Sequence, residues 1–201
     1  MKNPEIIYFE GLPRSGKTTL TNQLSREYPQ LAAVGEYIHP ALEDESNWAN
    51  QRIFMENDEL KYKVAQAYGK QCLVDRGHLS TLLYTHAYNL IRGDKDLSYV
   101  DDWYAGTILK NKMLPDMYIY LDIPAEVSFN RRTIPLDLDN MWDHLEALNF
   151  ARENYPRYIG TFEPNVPLIT LSSHTLCIAE LKTEVATILG LNIHPQTVTG
   201  L

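Results

Sequence analysis

Gly11-Leu12-Pro13-Arg14-Ser15-Gly16-Lys17-Thr18 matches the phosphate-binding loop pattern G-x-x-x-x-G-K-[ST] at every fixed position. Its neighbours agree with it. The apolar run Ile6-Ile7-Tyr8-Phe9 before it reads as a buried strand, and the residues after it carry Leu20 and Leu24 at helical spacing. A turn of small residues lets successive backbone N–H groups face one anion, and the helix that follows adds the partial positive charge of its N-terminus. The whole run, Gly11, Leu12, Pro13, Arg14, Ser15, Gly16, Lys17 and Thr18, is therefore expected to hold a nucleotide phosphate, with Thr19 at its helical edge. Lys17 is expected to reach the β- and γ-phosphates, and the Thr18 hydroxyl to ligate Mg²⁺. A chance match in a surface turn is the competing reading, weakened by the strand and helix on either side.

Outward from the loop, four further apolar runs read as strands, at 31–34, 71–74, 117–121 and 167–171. Helical periodicity fills the intervals at 46–68, 79–90, 99–112, 125–132, 140–159 and 176–189. Strands alternating with helices argue for a parallel sheet covered on both faces, an α/β fold of three layers in which ligands lie beyond the carboxyl ends of the strands. The residues just past those ends are the loop itself, Gly35-Glu36-Tyr37, Asp75-Arg76-Gly77-His78, Asp122-Ile123-Pro124 and Ser172-Ser173-His174.

Length and composition set the outer limits. At 201 residues the chain is read as one domain, and its formal charge of −8 argues against a nucleic-acid polymer or an anionic membrane as partner. No stretch approaches the roughly 18–20 consecutive apolar residues of a membrane span, and Met1-Lys2-Asn3-Pro4 leads into the first strand without a signal-peptide pattern, so a cytoplasmic protein is expected. Cys72 and Cys177 have neither metal-ligand nor disulfide spacing and are expected as buried thiols. His39, His78 and His86 also lack metal-ligand spacing. His78 draws interest by following Asp75-Arg76, although a loop histidine is usually structural or solvated.

Cys72-Leu73-Val74-Asp75 is an apolar strand ending in an acid, the arrangement that places a carboxylate near Mg²⁺ or the attacking group in phosphate-loop proteins. Arg76 follows, with a fork that suits phosphate. Three phrases, Phe9-Glu10-Gly11 through the loop to Leu20, then Val74-Asp75-Arg76, then Tyr120-Leu121-Asp122-Ile123-Pro124-Ala125-Glu126-Val127, resemble thymidylate kinases and, more distantly, deoxynucleoside kinases.

The resemblance implies a P-loop NTPase fold with five parallel strands in the order 2-3-1-4-5, a short lid near residues 131–140, ATP as phosphoryl donor and a small-molecule acceptor. It also implies a homodimer packed through helices. Arg14 takes the place of a loop arginine that touches the transferring phosphate, against the alternative of a solvent-exposed loop arginine. Glu36 takes the place of a base for the acceptor hydroxyl; Asp75 competes for that role, and a simple turn residue is the other reading. Arg131 and Arg132 end the helix where a mobile lid begins, or else only interact with the helix dipole. The aromatic residues Tyr37, Trp48, Phe54, Tyr84, Tyr88 and Trp103 lie on segments expected around the acceptor, most of them as core.

The sequence departs from thymidylate kinases at two places. Pro13 stands where an acid usually precedes the loop arginine, and Asn57-Asp58 stands where an Asp-Arg pair holds the acceptor's phosphate. An acid there repels a phosphate. The acceptor is thus left open among a nucleoside, a nucleotide and an unrelated alcohol such as an antibiotic or metabolite. A switch GTPase is disfavoured because Asn111-Lys112-Met113-Leu114 lacks the aspartate of an N-K-x-D phrase. A nucleotide-binding regulatory ATPase or pseudoenzyme acting through a protein partner is the remaining alternative.

Overall fold

The computed structural model describes residues 5–44, 46, 50–93, 96–137 and 140–191. Five strands, β1 (Ile6–Glu10), β2 (Ala32–Val34), β3 (Cys72–Asp75), β4 (Met117–Asp122) and β5 (Leu168–Ser172), form one sheet in the order β2-β3-β1-β4-β5. Every pairing is parallel, with Phe9 opposite Asp75 and Glu10 opposite Tyr120. β1 is thus flanked on both sides, and the loop it feeds emerges at the centre of the sheet.

Strand side chains alternate between faces, and each face has its own core. Ile7, Phe9, Leu73, Ile119 and Leu121 pack under α1 (Lys17–Glu27) and α7 (Ile178–Ile188). Ile6, Tyr8, Val74, Tyr118 and Tyr120 pack on the opposite face under α2 (Gln51–Ala67), α3 (His78–Arg92), α4 (Ser98–Trp103), α5 (Ala125–Asn130) and α6 (Leu145–Phe162). Burial on both faces explains why the inner strands β1, β3 and β4 read as near-continuous apolar runs, whereas the edge strand β5 is only partly buried. Among the described residues, no helix is long and apolar enough to cross a membrane.

Several boundaries differ from the periodicity. The helix expected from 46 begins at Gln51, where the Asn50 side chain accepts from Arg52 N at 3.2 Å; Pro40–Glu43 forms a separate 3-10 turn, and 47–49 lie outside the described residues. The one expected at 99–112 runs as α4 and then widens into a π-helical turn over Tyr104–Leu109. Near 140, the Asn140 side chain caps a 3-10 turn, Met141–Asp143, and the chain re-enters helix only at Leu145. Cys72 is buried as expected, its thiol pushed up to about 12 mainly by desolvation. Cys177 is exposed instead, because it occupies the N-cap of α7, where its N–H donates to Glu180 Oε2 at 2.7 Å.

Pro156 lies inside α6 and has no N–H to give to the carbonyl of Arg152, four residues earlier. That carbonyl is met from the sheet: the Tyr120 hydroxyl on β4 donates to Arg152 O at 3.2 Å. Arg152 itself pairs with Asp122 through two bonds of 2.7 and 2.9 Å. Strand β4 and helix α6 are therefore joined where the helix backbone has a gap.

Candidate active site

The loop at residues 11–16 leaves β1 and enters α1 at Lys17. Gly11 adopts φ 141°, and a Cβ there would stand 2.5 Å from Leu121 O on the neighbouring strand, so only glycine lets the loop cross β4 so closely. Arg14 (φ 62°) and Gly16 (φ 97°) also have positive φ, the kind of turn in which successive N–H groups can converge on an anion. Leu12 is fully buried beneath the turn, and Ser15 is nearly so. Lys17 folds back over its own loop, donating to Gly11 O at 3.0 Å, Leu12 O at 2.8 Å and Ser15 Oγ at 3.2 Å. Burial and then nearby Arg76 lower its pKa to about 7, with Asp75, Glu36 and Glu10 opposing.

Asp75 ends β3 beside the loop. Its Oδ2 accepts from the Thr18 hydroxyl at 2.5 Å, while Oδ1 is buried without a hydrogen-bond partner. A hydroxyl and an unsatisfied carboxylate oxygen side by side form a hard-oxygen donor set, which fits Mg²⁺. Arg76 follows in the left-handed region, φ 62°, held there by its N–H to Phe9 O at 3.0 Å. Its guanidinium is spread over Gly11 O and Ser80 Oγ, both at 3.2 Å, and its Nε lies 2.8 Å from Glu36 Oε1, an ion pair without hydrogen-bond alignment. Burial pushes Glu36 up, but Arg76, Lys17 and Lys61 outweigh it and leave this carboxyl below its ordinary pKa.

Two cavities meet at this pair. One, about 360 Å³, is lined by Pro13, Arg14, Gly16, Lys17, Thr18 and Thr19. The other, about 210 Å³, lies over α2 and α3, with Asp58, Lys61 and Thr81 among its lining residues. Glu36, Tyr37, Arg76, Asn140 and Trp142 border both.

The second cavity has aromatic walls and a polar floor. Tyr37 meets Phe54 edge-on with ring centres 6.0 Å apart, and Tyr84 meets Trp142 at 5.3 Å. Asp58 accepts from Thr81 Oγ1 at 2.6 Å and lies 3.6 Å from Lys61 Nζ, which donates to Asp75 O at 2.8 Å. Desolvation pushes Asp58 up in pKa, opposed by Lys61 and Thr81. Asn57 fixes the adjoining loop, accepting from the N–H groups of Ile38 and His39 and donating to Glu36 O at 3.0 Å. Of the aromatic residues singled out in the sequence, Trp103 packs in the core and donates to Glu59 at 3.0 Å, and Trp48 lies outside the described residues.

The basic residues reach the loop differently. Arg14 donates to Asp143 Oδ1 at 2.9 Å, and Asp143 is a fully buried carboxylate whose Oδ2 accepts from Asp137 N at 3.0 Å. Arg131 donates to Arg14 O at 3.1 Å and Ser173 O at 3.3 Å. Arg132 lies over the Phe129 ring at 4.6 Å and stands 3.9 Å from Asp143. Of the expected lid, 131–137 and 140 are described, and 138–139 lie outside the described residues.

Behind the site is a buried polar layer in which His78, noted in the sequence for its place after Asp75-Arg76, is structural, and in which Glu163 was not singled out. Glu10 accepts from Gly77 N at 2.8 Å and Ser80 Oγ at 2.6 Å, and its pKa is raised to about 7 by burial against the lowering effect of Ser80 and Arg76. His78 lies 2.8 Å from Glu163, which also accepts from the hydroxyls of Tyr104 and Tyr118. Burial lowers His78 in pKa, but Glu163 outweighs it and holds the ring above its ordinary value. A Cβ on Gly77 would fall 2.2 Å from the Tyr8 ring, so this turn also requires glycine.

Residues 9–176 match the family described as Thymidylate kinase. No curated protein matches the chain. Among solved structures, deoxyadenosine kinase from M. mycoides with bound dATP superposes with a TM-score of 0.70 at 16% identity, covering 92% of this chain and 99% of that one. Thymidylate kinase from Candida albicans superposes with a TM-score of 0.64 at 18% identity, covering 94% of this chain and 92% of that one. At such identities these two structures share its fold.

Proposed function

This chain belongs to the thymidylate kinase family, which makes it a phosphotransferase, and we propose that it moves the γ-phosphoryl group of ATP onto a small-molecule acceptor held in the cavity over α2 and α3. The observation that carries this reading is the shared border of the two cavities: Glu36 and Arg76 face both the phosphate loop and the second cavity. A donor on one side and an acceptor on the other would meet across that pair.

Each residue has a distinct task in this reading. The loop amides and Lys17 hold the donor phosphates, and Lys17 leaves its own loop carbonyls for them. Thr18 and Asp75 would hold Mg²⁺, which would neutralise charge on the donor phosphates. Arg76 and Arg14 stabilise charge on the transferring group, and Asp143 fixes the direction of Arg14. Glu36 takes the acceptor's proton: it remains ionised at neutral pH, whereas Asp75 is already engaged by Thr18. The described residues from Arg131 to Asp137 act as a small lid that excludes water, with Arg131 bracing the loop.

The test is γ-phosphoryl transfer from labelled ATP across a panel of acceptors, with Glu36→Gln alongside. Loss of a general base commonly costs about 10²–10⁴ in rate. Unchanged turnover in the variant would remove Glu36 from this role, and absence of ATP binding by the unmodified chain would overturn the donor assignment.

A further inference from the structure

The second cavity contains charges, yet both of its cations are already committed. Lys61, 1% exposed, is bound to Asp75 O and stands beside Asp58. Arg76 is held by Glu36, Gly11 O and Ser80, and the phosphotransfer reading assigns its charge to the group in transit. Two carboxylates, Glu36 and Asp58, line the same space. A phosphate monoester entering it would bring close to two negative charges, with a second pKa of about 6, into a site with no unengaged cation among the described lining residues.

A second observation points the same way. An acceptor phosphate is already anionic at neutral pH and needs no base, whereas an alcohol must lose its proton as the new bond forms. A carboxylate held ionised at the border of the two cavities is a device for an alcohol. The walls supply the rest of the specification: Tyr37–Phe54 and Tyr84–Trp142 offer flat apolar faces. The volume, about 210 Å³, lies below the roughly 300–1,000 Å³ typical of drug-sized pockets and suits a small acceptor.

We propose that the acceptor is a small uncharged alcohol bearing one flat ring system, and that it enters without a phosphate of its own. This rests on the phosphotransfer reading above and departs from the nucleotide acceptor that the family's name suggests. The acceptor oxygen bonds to the γ-phosphorus as the bond from that phosphorus to the β,γ-bridging oxygen breaks. ADP leaves with the electron pair, and the hydroxyl proton passes to the Glu36 carboxylate and then to solvent.

The test separates the two halves. Thymidine, deoxyadenosine, deoxycytidine, deoxyguanosine and their 5′-monophosphates are titrated calorimetrically into the full chain saturated with Mg²⁺ and a non-hydrolysable ATP analogue, and the same eight compounds are assayed with ATP, with products identified by mass. Saturation with the analogue checks the donor half independently. The expected result is binding and phosphorylation of at least one uncharged nucleoside, with its kcat/KM about 10²-fold or more above that of its monophosphate. Tighter binding or faster turnover of a monophosphate overturns the proposal while leaving the phosphotransfer reading intact. Binding of neither class, with the analogue bound, also overturns it. As a second readout, Asp58→Asn should narrow the gap between nucleoside and monophosphate binding, and an unchanged ratio in a folded variant counts against the charge argument.

Discussion

A lysine with a pKa near 7 that folds onto its own loop is a proton acceptor waiting for an anion. When phosphate replaces the loop carbonyls as its neighbour, the charged form is favoured and the pKa of Lys17 rises. At pH 8, ATP binding is therefore expected to take up most of one proton. Calorimetric binding enthalpies measured in buffers of different ionisation heat read this directly, and Lys17→Ala should abolish both the uptake and the transfer; uptake that persists in the variant assigns the proton elsewhere. Asp143 supports a second prediction at this scale. Asp143→Asn should lower kcat about 10- to 100-fold with a smaller change in acceptor KM, because Arg14 loses its direction rather than its charge. The same change should cost about 1–3 kcal/mol in urea denaturation, below the figure for a fully buried pair because Arg14 is partly exposed. A wild-type kcat in the folded variant would rule out positioning.

At the scale of elements, the junction of β4 and α6 is open to a double-mutant cycle. Tyr120→Phe removes the donor that serves the carbonyl left open by Pro156 and should cost about 1 kcal/mol. In the Pro156→Ala background that carbonyl regains a helical N–H, so the cost of Tyr120→Phe should shrink; equal costs in both backgrounds would mean the hydroxyl is not compensating the proline. Elements were also what the sequence disclosed best. The inner strands β1, β3 and β4 were legible because burial on both faces turns them into apolar runs, and Gly11 to Thr18 because a phosphate loop needs fixed residues at fixed spacing. Asp58 was placed near the acceptor only through the resemblance, and Lys61 was not legible as its partner in the cavity floor, since a charged pair three residues apart in a helix reads as a solvated face. Asp143 and Arg14 are separated by 129 positions and His78 and Glu163 by 85, distances over which no local pattern operates. The breaks near 104 and 141 were hidden because helical periodicity barely distinguishes an α-helix from a π turn or a short 3-10 turn.

For the whole molecule, the buried ionisable groups predict how stability follows pH. Glu10 has a folded pKa near 7, above its ordinary 4.5, so its contribution is complete below about 4.5 and is lost as pH rises through 7. His78 is raised as well and acts with the same sign. Lys17 is lowered to about 7 from 10.5, so the unfolded chain holds the extra proton above 7 and stability recovers as pH climbs further. Urea-unfolding free energies should fall between pH 5 and 7 and rise again toward pH 9. Each group contributes a slope of at most about 1.4 kcal/mol per pH unit. Glu10→Gln should flatten the falling arm, and an unchanged arm would show that Glu10 does not hold its proton there.

The two cavities share Glu36, Arg76 and Trp142. A ligand that draws Arg76 toward the loop leaves Glu36 with a different partner, and so re-tunes the neighbouring space before its own ligand arrives. Occupants of the two spaces therefore exchange free energy through a common wall, and the exchange is symmetrical by thermodynamic necessity. Whatever factor a donor analogue imposes on the dissociation constant of the acceptor, the acceptor must impose on the donor.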